Sequence, residues 1–186
     1  MAMTVRRAKD ARTKSIFVHK VADVRGGISV VASELSGTYL AEGTPLACEN
    51  GKWYAVKIAR ATEKTTSTAV KVEKTHNFKV GDVVLASVGD KASTISKIDT
   101  SAAGYDTLTL SAALGTIEAG AVLVEAAAAQ TSTGAALKRT PIALNGSGQE
   151  ILPNSNVVTD AWLIGVIKDA GYPDDALPKG IVKLPY

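Results

Sequence analysis

Apolar and polar residues along this chain alternate mostly at a period of two, in short runs broken by glycine, asparagine and proline. TISKID at 94–99 and LTL at 108–110 are the cleanest cases. Two-residue alternation places one face of a strand on a core and the other toward water, so these runs predict half-buried strands. Further strands are expected in IFVHKV (16–21), ISVVAS (28–33), VGDVVLAS (80–87), ASTISKIDT (92–100), YDTLTLSAAL (105–114) and AGAVLVEA (119–126). PLACENGKWYAVKIA at 45–59 predicts a hairpin, because Asn50-Gly51 suits the positive φ angles of a two-residue turn. NVVTDAWLIGVIKD (156–169) is read as a buried strand for its β-branched content, and IVKL (181–184) as a last one. The alanines at 126–129 are too few to hold a helix alone and read as a seam.

Three phrases open strands in the same way: AEGTPL, KVGDVV and EAGAVL. Each puts a glycine where the chain must turn before an apolar run, and glycine allows that turn at no steric cost. Asp82 can close its turn with its side chain. The phrases are unevenly spaced, so no true repeat is read from them. The expected fold class is all-β: a small barrel- or sandwich-like body with an inserted β subdomain. Residues 1–15 read as a basic, flexible arm, 16–61 plus 129–186 as a discontinuous body, and 62–128 as the inserted module.

Composition supports many short strands, with 46% apolar residues, only 5% aromatics and 16 glycines. The net charge of +3 is unevenly placed. Residues 1–25 carry seven basic side chains against Asp10 and Asp23, a surplus of five, which leaves −2 for the rest. Such an arm suits a phosphate-rich or acidic partner. Cys48 is the single cysteine, so no disulfide framework exists, and it reads as a small apolar filler. No apolar leader and no run near the ~18 residues of a membrane-spanning helix is visible.

Candidate chemistry is sparse. The two histidines, His19 and His76, lie far apart, and no Gly-x-Ser-x-Gly elbow accompanies them. One cysteine and two separated histidines give no zinc pattern, and the aspartates lack calcium-loop spacing. GGIS and NGSG do not continue into the Gly-Lys-Ser/Thr of a phosphate loop. The residues therefore predict no catalytic set, metal or cofactor, and a protein that works by binding. Trp53, Tyr105 and Tyr172 are the candidate surface aromatics for a ligand, whereas Trp162, flanked by apolar residues, reads as core.

YLAEGTPLACENGKWYAV resembles the signature of tailed-bacteriophage head decoration proteins, and DAWLIGVI resembles their closing strand. HNFKVGDVVLA, TISKIDTSAAGYDTLTLSAALG and AGAVLVEA resemble the inserted module of phage head-fibre proteins. The likeness spans roughly residues 35–185. It implies a structural virion protein on the capsid surface of a tailed phage or prophage, assembled in the bacterial cytoplasm. It also implies a homo-oligomer, a trimer by family habit, seated on the major capsid protein, with a host surface glycan as a further partner. No catalytic residue transfers. The 62–128 insertion departs from the smallest decoration proteins and argues against a purely cementing role. Arg6, Arg7, Lys9, Arg12 and Lys14 are then the expected docking residues. Alternatives left open are a carbohydrate- or host-surface-binding β module, a single-strand nucleic-acid binder, for which interleaved aromatics are scarce, and a hydrolase with a spatially assembled triad.

Overall fold

A computed structural model describes residues 15–168 and 171–184. The chain is almost entirely β, and the only helical turn among the described residues is a 3-10 turn at Asp174–Ala176. The early strands are β1 (Phe17–Asp23), β2 (Ile28–Val30), β3 (Tyr39–Leu40), β4 (Pro45–Glu49) and β5 (Lys52–Ala55). The middle of the chain forms β6 (Ile58–Arg60), β7 (Ala69–Val72), β8 (Val83–Leu85), β9 (Ala92–Asp99), β10 (Asp106–Leu110) and β11 (Val122–Glu125). The last stretch forms β12 (Ala143–Asn145), β13 (Gln149–Glu150), β14 (Val157–Thr159), β15 (Ala161–Lys168) and β16 (Ile181–Leu184).

Two sheets dominate. The first, eight-stranded, runs β1-β15-β12-β4-β5-β2-β14, with β16 also on β15. The second runs β6-β11-β8-β9-β10-β7, and β3 and β13 form a separate pair. Pairing is antiparallel except for β2 with β5 and β15 with β16. Every strand of the second sheet thus comes from residues 58–125, between two lengths of chain that build the first. Ile58–Arg60, assigned to the body by sequence, instead pairs with β11 in the second sheet. NVVTDAWLIGVIKD makes two strands rather than one, because Asp160 turns out of the ladder to bind Ser147 Oγ and Trp162 Nε1.

The expected hairpin is β4–β5. Glu49 pairs with Lys52 around Asn50 (φ 51°) and Gly51 (φ 74°), the two left-handed residues of a type I′ turn. The recurrent glycine openings share one geometry. Thr44, Asp82 and Ala121 each donate their amide to the carbonyl three residues back, on Ala41, Lys79 and Glu118. Gly43, Gly81 and Gly120 hold φ of 81°, 95° and 84° at the third position, so all three are type II turns. The glycine amide of each then bonds a neighbouring strand or its extension, at Asn145, Ile95 and Ala61 respectively. The openings therefore both turn the chain and set the register of the strand that each one starts.

Three apolar clusters fill the molecule. One lies inside the first sheet around Leu40, Leu46 and Val157, and one inside the second around Phe78, Ile95 and Leu108. The third joins the sheets, combining Ala47, Leu144 and Ile167 with Leu85, Val122 and Val124. Strand β11 serves two of them, Leu123 on one face and its flanking valines on the other. Its run VLV lacks polar alternation for that reason.

Candidate functional site

The chemistry of this molecule is concentrated where the two sheets meet, around the loop after β2. His76, Asn77 and Phe78 dock there. Asn77 O accepts the Ser36 amide, its Oδ1 accepts the Gly37 amide, and its Nδ2 donates to Tyr39 O. Ser36 Oγ donates to Phe78 O and Lys79 Nζ to Ser33 O. A Cβ on Gly37 would lie 2.5 Å from Asn77 Oδ1, so this close approach requires glycine.

His76 is buried beneath that clasp. Its Nδ1 accepts the Phe78 amide at 3.3 Å, which leaves the proton of the neutral ring on Nε2. Nε2 lies 3.2 Å from Asp106 Oδ2, without good hydrogen-bond alignment, and Lys74 Nζ holds Asp106 Oδ1 at 2.7 Å. Burial depresses the His76 pKa and outweighs the nearby Asp106, with Lys74 adding to the depression. Among the described residues no serine or threonine hydroxyl bonds the ring, and its polar contacts are the Phe78 amide and the Asp106 carboxylate.

A depressed histidine pKa carries a signed consequence. Below about pH 6.5 the unfolded chain takes up this proton more readily than the folded one. Stability is therefore full above that pH and declines as pH falls toward the folded value, at up to about 1.4 kcal/mol per pH unit for one proton. In His76→Asn, whose Oδ1 can accept the Phe78 amide, urea midpoints should change less between pH 7.5 and 5.5 than in the parent. Equal slopes in the two proteins would assign the decline to other groups.

A second constellation runs along the same seam. Lys57 Nζ lies 2.7 Å from Asp82 Oδ2 and 3.3 Å from Glu125 Oε1. Lys138 bridges Glu125 (2.9 Å) and Glu34 (3.3 Å). Arg139 grips both oxygens of Glu34 at 2.8 and 2.9 Å, reaches Glu49 at 3.0 Å, and stacks 4.0 Å from the Tyr54 ring centroid. Its hydrogen bonds hold the Glu34 carboxyl down at about 2, although partial burial opposes them. Asp82 also accepts the Lys79 amide at 2.7 Å, closing its turn as the sequence suggests. Sequence reasoning missed this network. The available signal was a charge at an inward strand position: Lys57 two residues before buried Ala59, and Glu125 two after buried Leu123.

The outer face of the first sheet is different in kind. Ile164 and Val166 share one side of β15, and Val182 stands beside Val166 on β16. Val18 and Val21 are the extra residues at two irregularities in the pairing of β1 with β15. Val18, Val21, Ile164 and Val182 are 48%, 58%, 48% and 56% exposed. Bulges of this kind on an edge strand discourage another strand from adding to it, while turning side chains outward.

The sequence candidates fare unequally. Arg6, Arg7, Lys9, Arg12 and Lys14 lie outside the described residues; the arm joins the fold where Glu42 Oε1 accepts the amides of Ile16 and Phe17 and the Ser15 hydroxyl. Trp53 is half-buried against the core of the first sheet, and Tyr105 is half-buried in the second with Lys71 Nζ 5.0 Å from its ring centroid. Tyr172 is not a surface aromatic. It is 4% exposed, drawn inward by a hydrogen bond from its hydroxyl to Gly43 O, and burial pushes its pKa up to about 12. Cys48 is exposed rather than a core filler, because β4 leaves the core after Ala47 as it runs into the Asn50-Gly51 turn. Trp162 is half-buried with Lys20 Nζ 5.3 Å from its ring centroid. Among the described residues no group of three or more His, Cys, Asp or Glu is placed to hold a metal ion. None of their helices is long and apolar enough to cross a membrane. No family model, curated relative or solved structure matches the chain.

Proposed function

We propose that this chain is a structural virion protein that decorates the capsid exterior of a tailed phage or prophage as a head-fibre or head-decoration protein. It acts by protein–protein binding rather than catalysis. Its partners in this reading are the major capsid protein and further copies of itself in a trimer. The observation that carries the reading is the apolar outer face of β1, β15 and β16, adjoining the point where the basic arm enters the fold. Exposed apolar side chains gathered on one part of a sheet, rather than scattered singly, suit a protein–protein contact. The resemblance of 39–56 and 76–126 to phage head proteins supplies the kind of partner. The carbohydrate-binding alternative has less support, since Tyr172 is buried, Trp53 lies on β5 of the first sheet and Tyr105 just before β10 of the second.

The test is co-pelleting with emptied, expanded phage heads that lack this protein. Saturable binding at a copy number matching the symmetry positions of the shell is expected. Removing residues 1–14, which spares β1 and its anchor on Glu42, should weaken binding at least about tenfold while the β body stays folded. Ile164→Glu with Val182→Glu should weaken it similarly. Full binding by both variants would refute the assignment of this face and arm, and no binding by the parent would refute the function.

A further inference from the structure

Lys57, Asp82 and Glu125 stand at one end of the second sheet, on three neighbouring strands or their extensions. The Glu125 amide donates to Lys57 O at 3.0 Å, and Glu125 pairs with Val84 of β8, two residues beyond Asp82. Strand alternation sends all three side chains to the face that carries Ala59, Val84 and Leu123. The Lys57 and Glu125 side chains are each 2% exposed, and Asp82 is 16% exposed. A buried ion pair at this depth at best breaks even against apolar residues of the same volume. One oxygen, Glu125 Oε2, is buried with no hydrogen-bond partner. An ion pair alone does not explain that spare oxygen.

We propose that Lys57 and Asp82 are joined by an intramolecular amide bond, with Glu125 as the proton carrier of its formation. Lys57 Nζ, after passing a proton to Glu125, attacks Cγ of Asp82 and forms the C–N bond. The Lys79 amide, 2.7 Å from Asp82 Oδ2, donates to the oxygen that gains negative charge at the tetrahedral stage. The C–Oδ1 bond then breaks. Of the three protons on the Lys57 ammonium, one remains on the amide nitrogen and two leave with Oδ1 as water. Glu125 ends as it began, so atoms and charge balance without a co-reactant. Holding amine and carboxyl in contact gives effective molarities on the order of 10⁵ M or more. That, with water largely excluded, favours condensation that dilute amines and carboxylates in water do not undergo. Lys138, 2.9 Å from Glu125 Oε1, keeps the carboxylate in place with that oxygen 3.3 Å from Lys57 Nζ, within reach of its proton. The product removes two buried charges and closes the chain between the start of β6 and the start of β8.

The experiment is the intact mass of the purified full chain under denaturing conditions, followed by peptide mapping. The expected result is a mass lower than that of the sequence by one water, about 18 Da, with the Lys57 and Asp82 peptides linked. Asp82→Asn should lose ammonia instead, about 17 Da, and Lys57→Arg should show its full sequence mass. Glu125→Gln, if folded, should remain largely uncondensed. A parent at its sequence mass with separable peptides overturns the proposal, whatever the variants do. A loss of water mapped to any other residues overturns it equally.

Discussion

Phe78→Ala should lose about 3–5 kcal/mol of folding stability, read as a shift in urea or guanidinium midpoint at unchanged slope. The ring is 1% exposed and sits in the second cluster among Val70, Ile95 and Leu108. Removing it deletes the transfer free energy of an aromatic side chain and leaves a cavity that strands on several sides cannot close. The backbone of the same residue receives the Ser36 hydroxyl, and its amide fixes the His76 ring. The variant should therefore also loosen the clasp, and faster hydrogen exchange at the Ser36 and Gly37 amides would register this. A loss below about 1 kcal/mol would mean that the second cluster repacks, contrary to a jigsaw-filled interior.

Arg139→Met is the second large effect, expected at about 2–4 kcal/mol. Methionine keeps most of the alkyl volume but removes the fork that holds Glu34 and Glu49 and the cation over Tyr54. Lys138 still reaches Glu34, so the loss stays below that of an isolated buried charge. The pH signature separates electrostatics from packing. Glu34 is depressed from an ordinary value near 4.5 to about 2, so its stabilisation is present above pH 4.5 and lost as pH falls toward 2. In Arg139→Met that window should flatten relative to the parent. An unchanged acid limb would leave only the lost stacking to explain the destabilisation.

Much of this architecture is written in short-range pattern. Asn50-Gly51 and the glycine openings at 43, 81 and 120 dictate backbone conformations that few other residues adopt, so turn and strand positions follow locally. Pairing partners do not. ISVVAS finds two neighbours far along the chain, β5 and β14, which alternation cannot name. The position of Tyr172 was hidden for the same reason. Flanking glycine and proline suggest an exposed loop, but its hydroxyl is taken by Gly43 O, 129 residues earlier. Lys57 and Glu125 were overlooked because a charge beside a strand reads as a solvated end. Only the tertiary fold shows that the next sheet and the strap at 138–139 cover them.

Strand β15 contacts β1 along one side and both β12 and β16 along the other. During synthesis β1 emerges first and has no partner until residues 161–168 have left the ribosome. The second sheet, drawn from one uninterrupted stretch, can assemble long before that, since its longest pairing, β6 with β11, closes by residue 124. The first sheet can begin at its β4–β5 hairpin, but it cannot close on β1 until β15 has been made. A product truncated ahead of Ala161 would carry a finished second sheet beside β1 and β12, two strands whose edges stay open for want of β15.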